Sequence, residues 1–203
     1  DSPRCPARFP DGLQHGGGTG TQALVNTHTR SMATVRLADY RPAPFLIPEI
    51  ALTLQLFADH TLVQADLSLE PNPAAAPGPE PLELRAEALE VLAIELDGQH
   101  LPAEAWRQEP GRLLLLDPPA RPFELRTRVR LHPETNTSLE GLYVSGGLFT
   151  TQCEAEGFRR ISPHPDRPDL LSRFRVRIEA DRATCPVLLS NGNCVESGEL
   201  APA

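Results

Sequence analysis

Three polar acceptors stand two residues apart in the stretch TTQCEAEGFRR, residues 150–160: Gln152, Glu154 and Glu156. If the chain is extended there, period-two alternation puts all three on one face. Carboxylates so placed repel one another unless a cation lies between them, and the first basic residues, Arg159 and Arg160, follow only after Gly157. A primary ammonium suits such a cluster, because it carries three N–H donors and no acceptor. A carboxylate beside an amide carbonyl can take two of those donors, and the charge-assisted bond is the stronger. A substrate amine or a lysine fits better than a metal, since no histidine lies nearby. The same pattern also fits a solvated strand face whose charges discourage edge-to-edge aggregation. Residue types and spacing leave both readings open.

The other reactive residue types carry less. Period two sends Cys153 to the face opposite the acceptors, where a buried, inert thiol is expected. Cys5, Cys153, Cys185 and Cys194 form no C-x-x-C pair and match neither a zinc ribbon nor a disulfide framework. Reduced cysteines in a cytoplasmic protein are the simpler reading. The six histidines are scattered singly and H-E-x-x-H is absent, so no metal site is expected from this chain alone. His132 and His164 each border a proline in a loop, with no evident partner. Asn136, Thr137 and Ser138 match a glycosylation acceptor by chance, as no secretory signal is present. Ser145-Gly146-Gly147 reads as a tight turn rather than a phosphate loop.

The elements that position these residues read as strands. "EIALTLQLF" sets Ile50, Leu52, Leu54 and Leu56 on one face, and "LVQADLSLE" does so with Val63, Ala65, Leu67 and Leu69. Residues 82–96 combine helix propensity with alternation at Leu92, Ile94 and Leu96 ahead of Asp97-Gly98; two strands bent near Ala86 are predicted. "RLLLLD" is a short apolar run. "FELRTRVRL" alternates most cleanly, with Phe123, Leu125, Thr127, Val129 and Leu131 inward. "RFRVRIEAD" places Phe174, Val176, Ile178 and Ala180 inward, and Asn191-Gly192 predicts a hairpin turn. One short helix is predicted in "DRPDLLSRF", with Asp166 as N-cap and Pro168 in the first turn. The sum is an all-β sandwich of mostly antiparallel strands with one short helix.

Length and charge agree with one domain. The chain has 203 residues, 40% hydrophobic and 23% charged, which suits a globular protein with one good-sized core. A formal charge of −8 argues against a nucleic-acid partner. No run of about 18 apolar residues exists to span a membrane. Residues 1–36 carry a GGGTG tract and no hydrophobic period, and read as a disordered leader ahead of a domain at 37–203. Met32, the single methionine, offers a translation start.

From about Tyr40 to Leu200 the chain resembles the N-terminal domain of the bacterial aminopeptidase N family of zinc metallo-aminopeptidases. The resemblance is carried by "NTSLEGLYVSGGLFTTQCEAEGFRRI" at 136–161, "DRPDLLSRF" at 166–174, "LLSNGN" at 188–193 and "ADYRP" near residue 38, in that family's order. It implies a saddle-like β domain that packs against a thermolysin-like catalytic domain. It also implies that Gln152 and Glu154 line the S1 side of the active site, where Glu154 helps bind the substrate's free α-amino group. Glu156 matches the motif, with a structural role expected. The family's zinc-binding H-E-x-x-H and its GAMEN segment are absent, so the chain is expected to be a substrate-recognition fragment. Such a fragment would bind peptide N-termini, hold no zinc and be inactive without the missing catalytic domain, which carries the zinc. The alternative is a stand-alone β-sandwich peptide-binding or adaptor module without catalysis.

Overall fold

Where apolar and polar residues alternate most regularly in this sequence, strands form, and in the central strands burial follows the alternation. The computed structural model describes residues 36–75 and 81–200. The leader reading at 1–36 falls almost wholly outside the described residues, apart from Arg36, which precedes a one-turn 3-10 helix at Leu37–Asp39. From Tyr40 onward the described strands are β1 (Phe45–Leu56), β2 (Thr61–Pro71), β3 (Leu82–Arg85), β4 (Glu90–Leu96), β5 (Gln99–His100), β6 (Trp106–Glu109), β7 (Arg112–Leu115), β8 (Phe123–Leu131), β9 (Gly141–Ser145), β10 (Leu148–Gln152) and β11 (Arg173–Ala180). The protein is all-β.

Six strands make the main sheet, in the order β11-β1-β2-β8-β4-β5, while β3-β7-β6 and β10-β9 form two smaller ones. Every pairing is antiparallel except β1 with β11, which is parallel. β8 shows why the sheet holds. Phe123, Leu125, Thr127, Val129 and Leu131 are buried, while Glu124, Arg126 and Arg128 face out. Its register sets Leu125 opposite Leu67 of β2 and Leu96 of β4, so apolar side chains meet across both neighbours. One core cluster joins this face to Leu82, Leu84, Leu113 and Leu115 of the three-stranded sheet, and to Leu142 and Ile161. On the outer face Arg126 bonds Asp66 and also reaches Glu95 at 3.3 Å, a charge ladder across three strands.

The turns follow their chemistry. Asp97 and Gly98 have φ of +49° and +76°, the two left-handed positions that a type I′ hairpin needs. β3 and β4 part at residues 86–89, as the bend near Ala86 predicts. A bulge between Val91 and Ala93 turns Leu92 outward, so it does not share the buried face of Ile94.

Three expectations fail. Residues 166–174 form no helix, only a turn at 168–169 followed by the first two residues of β11. Prolines 165 and 168 push the residues before them away from the helical region, and Asp166 has φ of +52°, which no N-cap adopts. Residues 181–200 contain no strand, so Asn191-Gly192 closes no hairpin. A lone hairpin needs a sheet or helix to lie against, and Val187, Leu189 and Val195 are exposed. Finally, β11 alternates in sequence as predicted, yet its apolar face is incompletely covered: Phe174 and Val176 are 49% and 38% exposed, even with Phe158 packed edge-on against Phe174 at 5.8 Å.

Candidate functional site

The acceptor cluster hangs from the end of a hairpin. Gly146 and Gly147, at φ of +58° and +81°, close the turn between β9 and β10 and set Gln152 opposite Gly141. β10 ends at Gln152, and residues 153–157 leave the sheet as a loop. The period-two argument for Gln152, Glu154 and Glu156 therefore does not apply beyond Gln152. The Glu154–Ala155 peptide bond in this loop is cis.

Glycine lets the loop fold back on its own strand. A Cβ on Gly157 would lie 2.8 Å from the Gln152 carbonyl oxygen and 3.0 Å from the Cys153 Cα, both backbone atoms. Its φ of +156° is equally unsuited to other residues. The chain then makes one 3-10 turn at Phe158–Arg160.

Charge holds the loop from behind. The Asp166 carboxylate accepts from the Gly157 N–H at 3.3 Å, the Arg159 N–H at 3.4 Å and the Arg159 Nε–H at 2.5 Å. The same guanidinium reaches Glu156 at 2.5 Å and Glu87 at 3.7 Å. Arg160 pairs with Glu87 at 3.1 Å and Glu140 at 3.4 Å. Asp166 is fixed in turn, because its backbone N–H donates to Nδ1 of His164 at 2.8 Å. That acceptor role puts the His164 proton on Nε2, which is buried without a partner. Burial pulls the His164 pKa down to about 4, against the opposing charge of Asp166. His164 also packs edge-on against Phe158 and exchanges backbone hydrogen bonds with Arg85, tying the segment to β3.

Two acceptors remain. Gln152 and Glu154 are both exposed. The Gln152 amide nitrogen donates to the Glu154 backbone carbonyl at 3.2 Å, which leaves its own carbonyl oxygen able to accept. The Glu154 carboxylate has no hydrogen bond or ion pair among the described residues, whereas Glu156 is taken up by Arg159. Chemically the arrangement offers one anionic and one neutral acceptor to a cation with several N–H donors.

The remaining reactive residues are structural. Cys153 is half-buried, and burial raises its pKa to about 11, which keeps it a thiol. Asn136 donates to the Glu140 and Leu142 carbonyls at 2.8 and 2.9 Å and accepts from Ser138, shaping the loop before β9. His132 is not partnerless, since its Nδ1 lies 2.9 Å from the Asp59 carbonyl oxygen.

Residues 98–202 match the peptidase M1 N-terminal domain family. The chain belongs to that family. This M1 N-terminal domain is 47% identical over 172 residues to aminopeptidase N of Caulobacter vibrioides, covering 85% of this chain and 19% of that protein. It is 43% identical over 162 residues to aminopeptidase N of Escherichia coli, covering 80% and 18%. Among solved structures it is similar to Legionella pneumophila aminopeptidase A in complex with aspartic acid, with a TM-score of 0.77 and 28% identity over 82% of this chain and 19% of that one. It shares its fold with an M1 zinc metallopeptidase from Deinococcus radiodurans, with a TM-score of 0.56 and 20% identity over 69% of this chain and 33% of that one. The chain thus spans about a fifth of the length of the curated relatives it matches. Among the described residues of this M1 domain, no three His, Cys, Asp or Glu side chains converge to hold a metal ion. Arg159, His164 and Asp166 drew notice in the sequence only as the first basic residue after the acceptors, a loop histidine and a helix N-cap, not as the residues that hold the loop. By spacing alone the two glutamates looked equivalent, and the only hint of their difference was the Arg-Arg pair just after Gly157.

Proposed function

We propose that this domain supplies part of the amine-binding site of a zinc aminopeptidase, in which Gln152 and Glu154 hold the free α-ammonium of a peptide substrate. The observation that carries the reading is the contrast between the two glutamates: Glu156 is neutralised by Arg159, and Glu154 stays exposed and unpaired. The Gln152 amide nitrogen already donates to the Glu154 carbonyl, which leaves its own carbonyl oxygen as a second acceptor for the ammonium in this reading. Gripping the α-ammonium fixes where the first peptide bond lies, so the removed residue is the N-terminal one. The domain's own contribution is binding and orientation. Zinc and bond cleavage belong to a catalytic domain of the same polypeptide in this reading, and the 203-residue chain alone is inactive.

The test is kinetic, in an aminopeptidase carrying this domain. One charge-assisted hydrogen bond contributes about 1.5–3 kcal/mol, so Glu154→Ala should raise KM and lower kcat/KM by roughly ten- to a hundredfold. An unchanged kcat/KM would remove Glu154 from the site. The isolated chain should show no hydrolysis of aminoacyl anilides and no stoichiometric zinc; activity that survives removal of host peptidases would overturn the division of labour.

A further inference from the structure

Asp166 is held at a left-handed φ of +52°, a conformation that a non-glycine residue keeps only when its surroundings impose it. What imposes it is visible. Its N–H is fixed by His164, and its carboxylate collects three donors, two of them backbone N–H groups at the loop exit, Gly157 and Arg159. The third donor, the Arg159 guanidinium, spans from Asp166 to Glu156. Asp166 and Arg159 have side chains only 10% and 14% exposed, so this anchor lies behind the loop, whereas Glu154 lies on its surface.

Two consequences follow for the loop. Its exit is clamped at Gly157 and Arg159, while its entry is fixed by Gln152 in the sheet, so residues 153–156 are held at both ends. Of the two glutamates on the loop, Arg159 engages one and leaves the other unpaired. A loop without that cation would offer an incoming ammonium two competing carboxylates in place of one.

We infer that Asp166 and Arg159 are a positioning pair, which orients the loop and occupies Glu156 so that Glu154 alone meets the substrate amine. The inference rests on the amine-site reading above and deepens it. Neither side chain touches substrate; both act through Glu154.

The experiment is a double-mutant cycle in an aminopeptidase carrying this domain, with leucine p-nitroanilide as the probe. Asp166→Asn tolerates positive φ and keeps an acceptor but loses the charge. It should raise KM about three- to tenfold and leave kcat within about twofold, because uniform binding is what is lost. In a Glu154→Gln background the same change should have almost no further effect on KM, since residues that act as a unit are not additive. Arg159→Lys, which keeps the charge but not the planar fork, should behave alike and stands in if Asp166→Asn does not fold. Additive effects of residues 154 and 166, or parallel losses in kcat, would overturn the positioning role while leaving the amine site intact. A Glu154→Gln variant with unchanged KM would remove the amine site itself, and the inference with it.

Discussion

β8 and the segment from Cys153 to Asp166 are held by opposite means. In β8 every second side chain enters one apolar core, and the ladder to β2 and β4 satisfies the backbone on both sides. The 153–166 segment contains one 3-10 turn and one bridge to Arg85, and its shape comes from an arginine, an aspartate, a neutral histidine and a close-packed glycine. The comparison shows which chemistry can hold which shape. Apolar burial is non-directional and suits a repeating strand. An irregular loop that must present a carboxylate needs directional bonds, and those bonds bring sensitivity to protonation and to single atoms.

That contrast can be broken or sharpened in four ways. The largest effect should come from the sheet. Leu125 is fully buried, so Leu125→Ala should cost about 2–5 kcal/mol in urea unfolding of this chain. A loss below about 1 kcal/mol would mean that the sheet's core is not what carries stability. Next comes acid acting on the segment. The His164 pKa is depressed from 6.5 to about 4, chiefly by burial, so the unfolded chain binds the extra proton first. Stability should be full above about pH 6.5 and fall as the pH drops toward 4, by up to about 3 kcal/mol for a shift of this size. Asp169, depressed to about 2 chiefly by its bond from Arg167, loses its contribution only below the ordinary aspartate range and leaves this window clear. His132, raised chiefly by its bond to the Asp59 carbonyl, works in the opposite sense, its contribution being lost as pH rises through its folded pKa. Urea midpoints measured from pH 7 to 4 should therefore slope, and a His164→Gln variant should flatten that slope; a wild-type profile already flat would contradict the reading.

The third test needs no charge. Gly157→Ala places a methyl 2.8 Å from the Gln152 carbonyl oxygen, so about 1–3 kcal/mol of destabilisation is expected by thermal unfolding. A neutral outcome would show that the loop has room to yield. The smallest effect returns to the sheet. Arg126 bonds both Asp66 and Glu95, but its side chain is 45% exposed, so Arg126→Ala should cost less than about 1 kcal/mol, and less again in high salt. A larger, salt-insensitive loss would mean that surface charge helps to hold β8 as charge holds the loop.

The same contrast governs what could be read from the sequence. β1, β2 and β8 were legible because alternation is local and their burial obeys it. For β11 the pattern correctly grouped Phe174 and Val176 on one face, but whether a face is covered depends on layers that no local pattern encodes. The helix at 166–174 was misread because aspartate and proline suit a helix start equally well as a proline-punctuated turn. Gln152 and Glu154 stood out by residue type, and the ammonium role came from the family resemblance. The resemblance already separated Glu154 from Glu156, but the physical cause of the difference was not legible, because it depends on where a guanidinium points, and that is set by Asp166, Glu87 and the fold of the loop.

The parallel pairing of β1 with β11 has a consequence for how the chain is made. Glu49 and Arg173 are 124 residues apart, and at about 5–20 residues per second of translation the second emerges roughly 6–25 seconds after the first. β1 can pair with β2 almost at once through a short turn, so the antiparallel side of β1 is in place early. Among the described residues the other edge of β1 pairs only with β11, so it waits for that whole interval. Synthesis of this domain therefore carries a built-in window in which a bare strand edge must be kept from its neighbours.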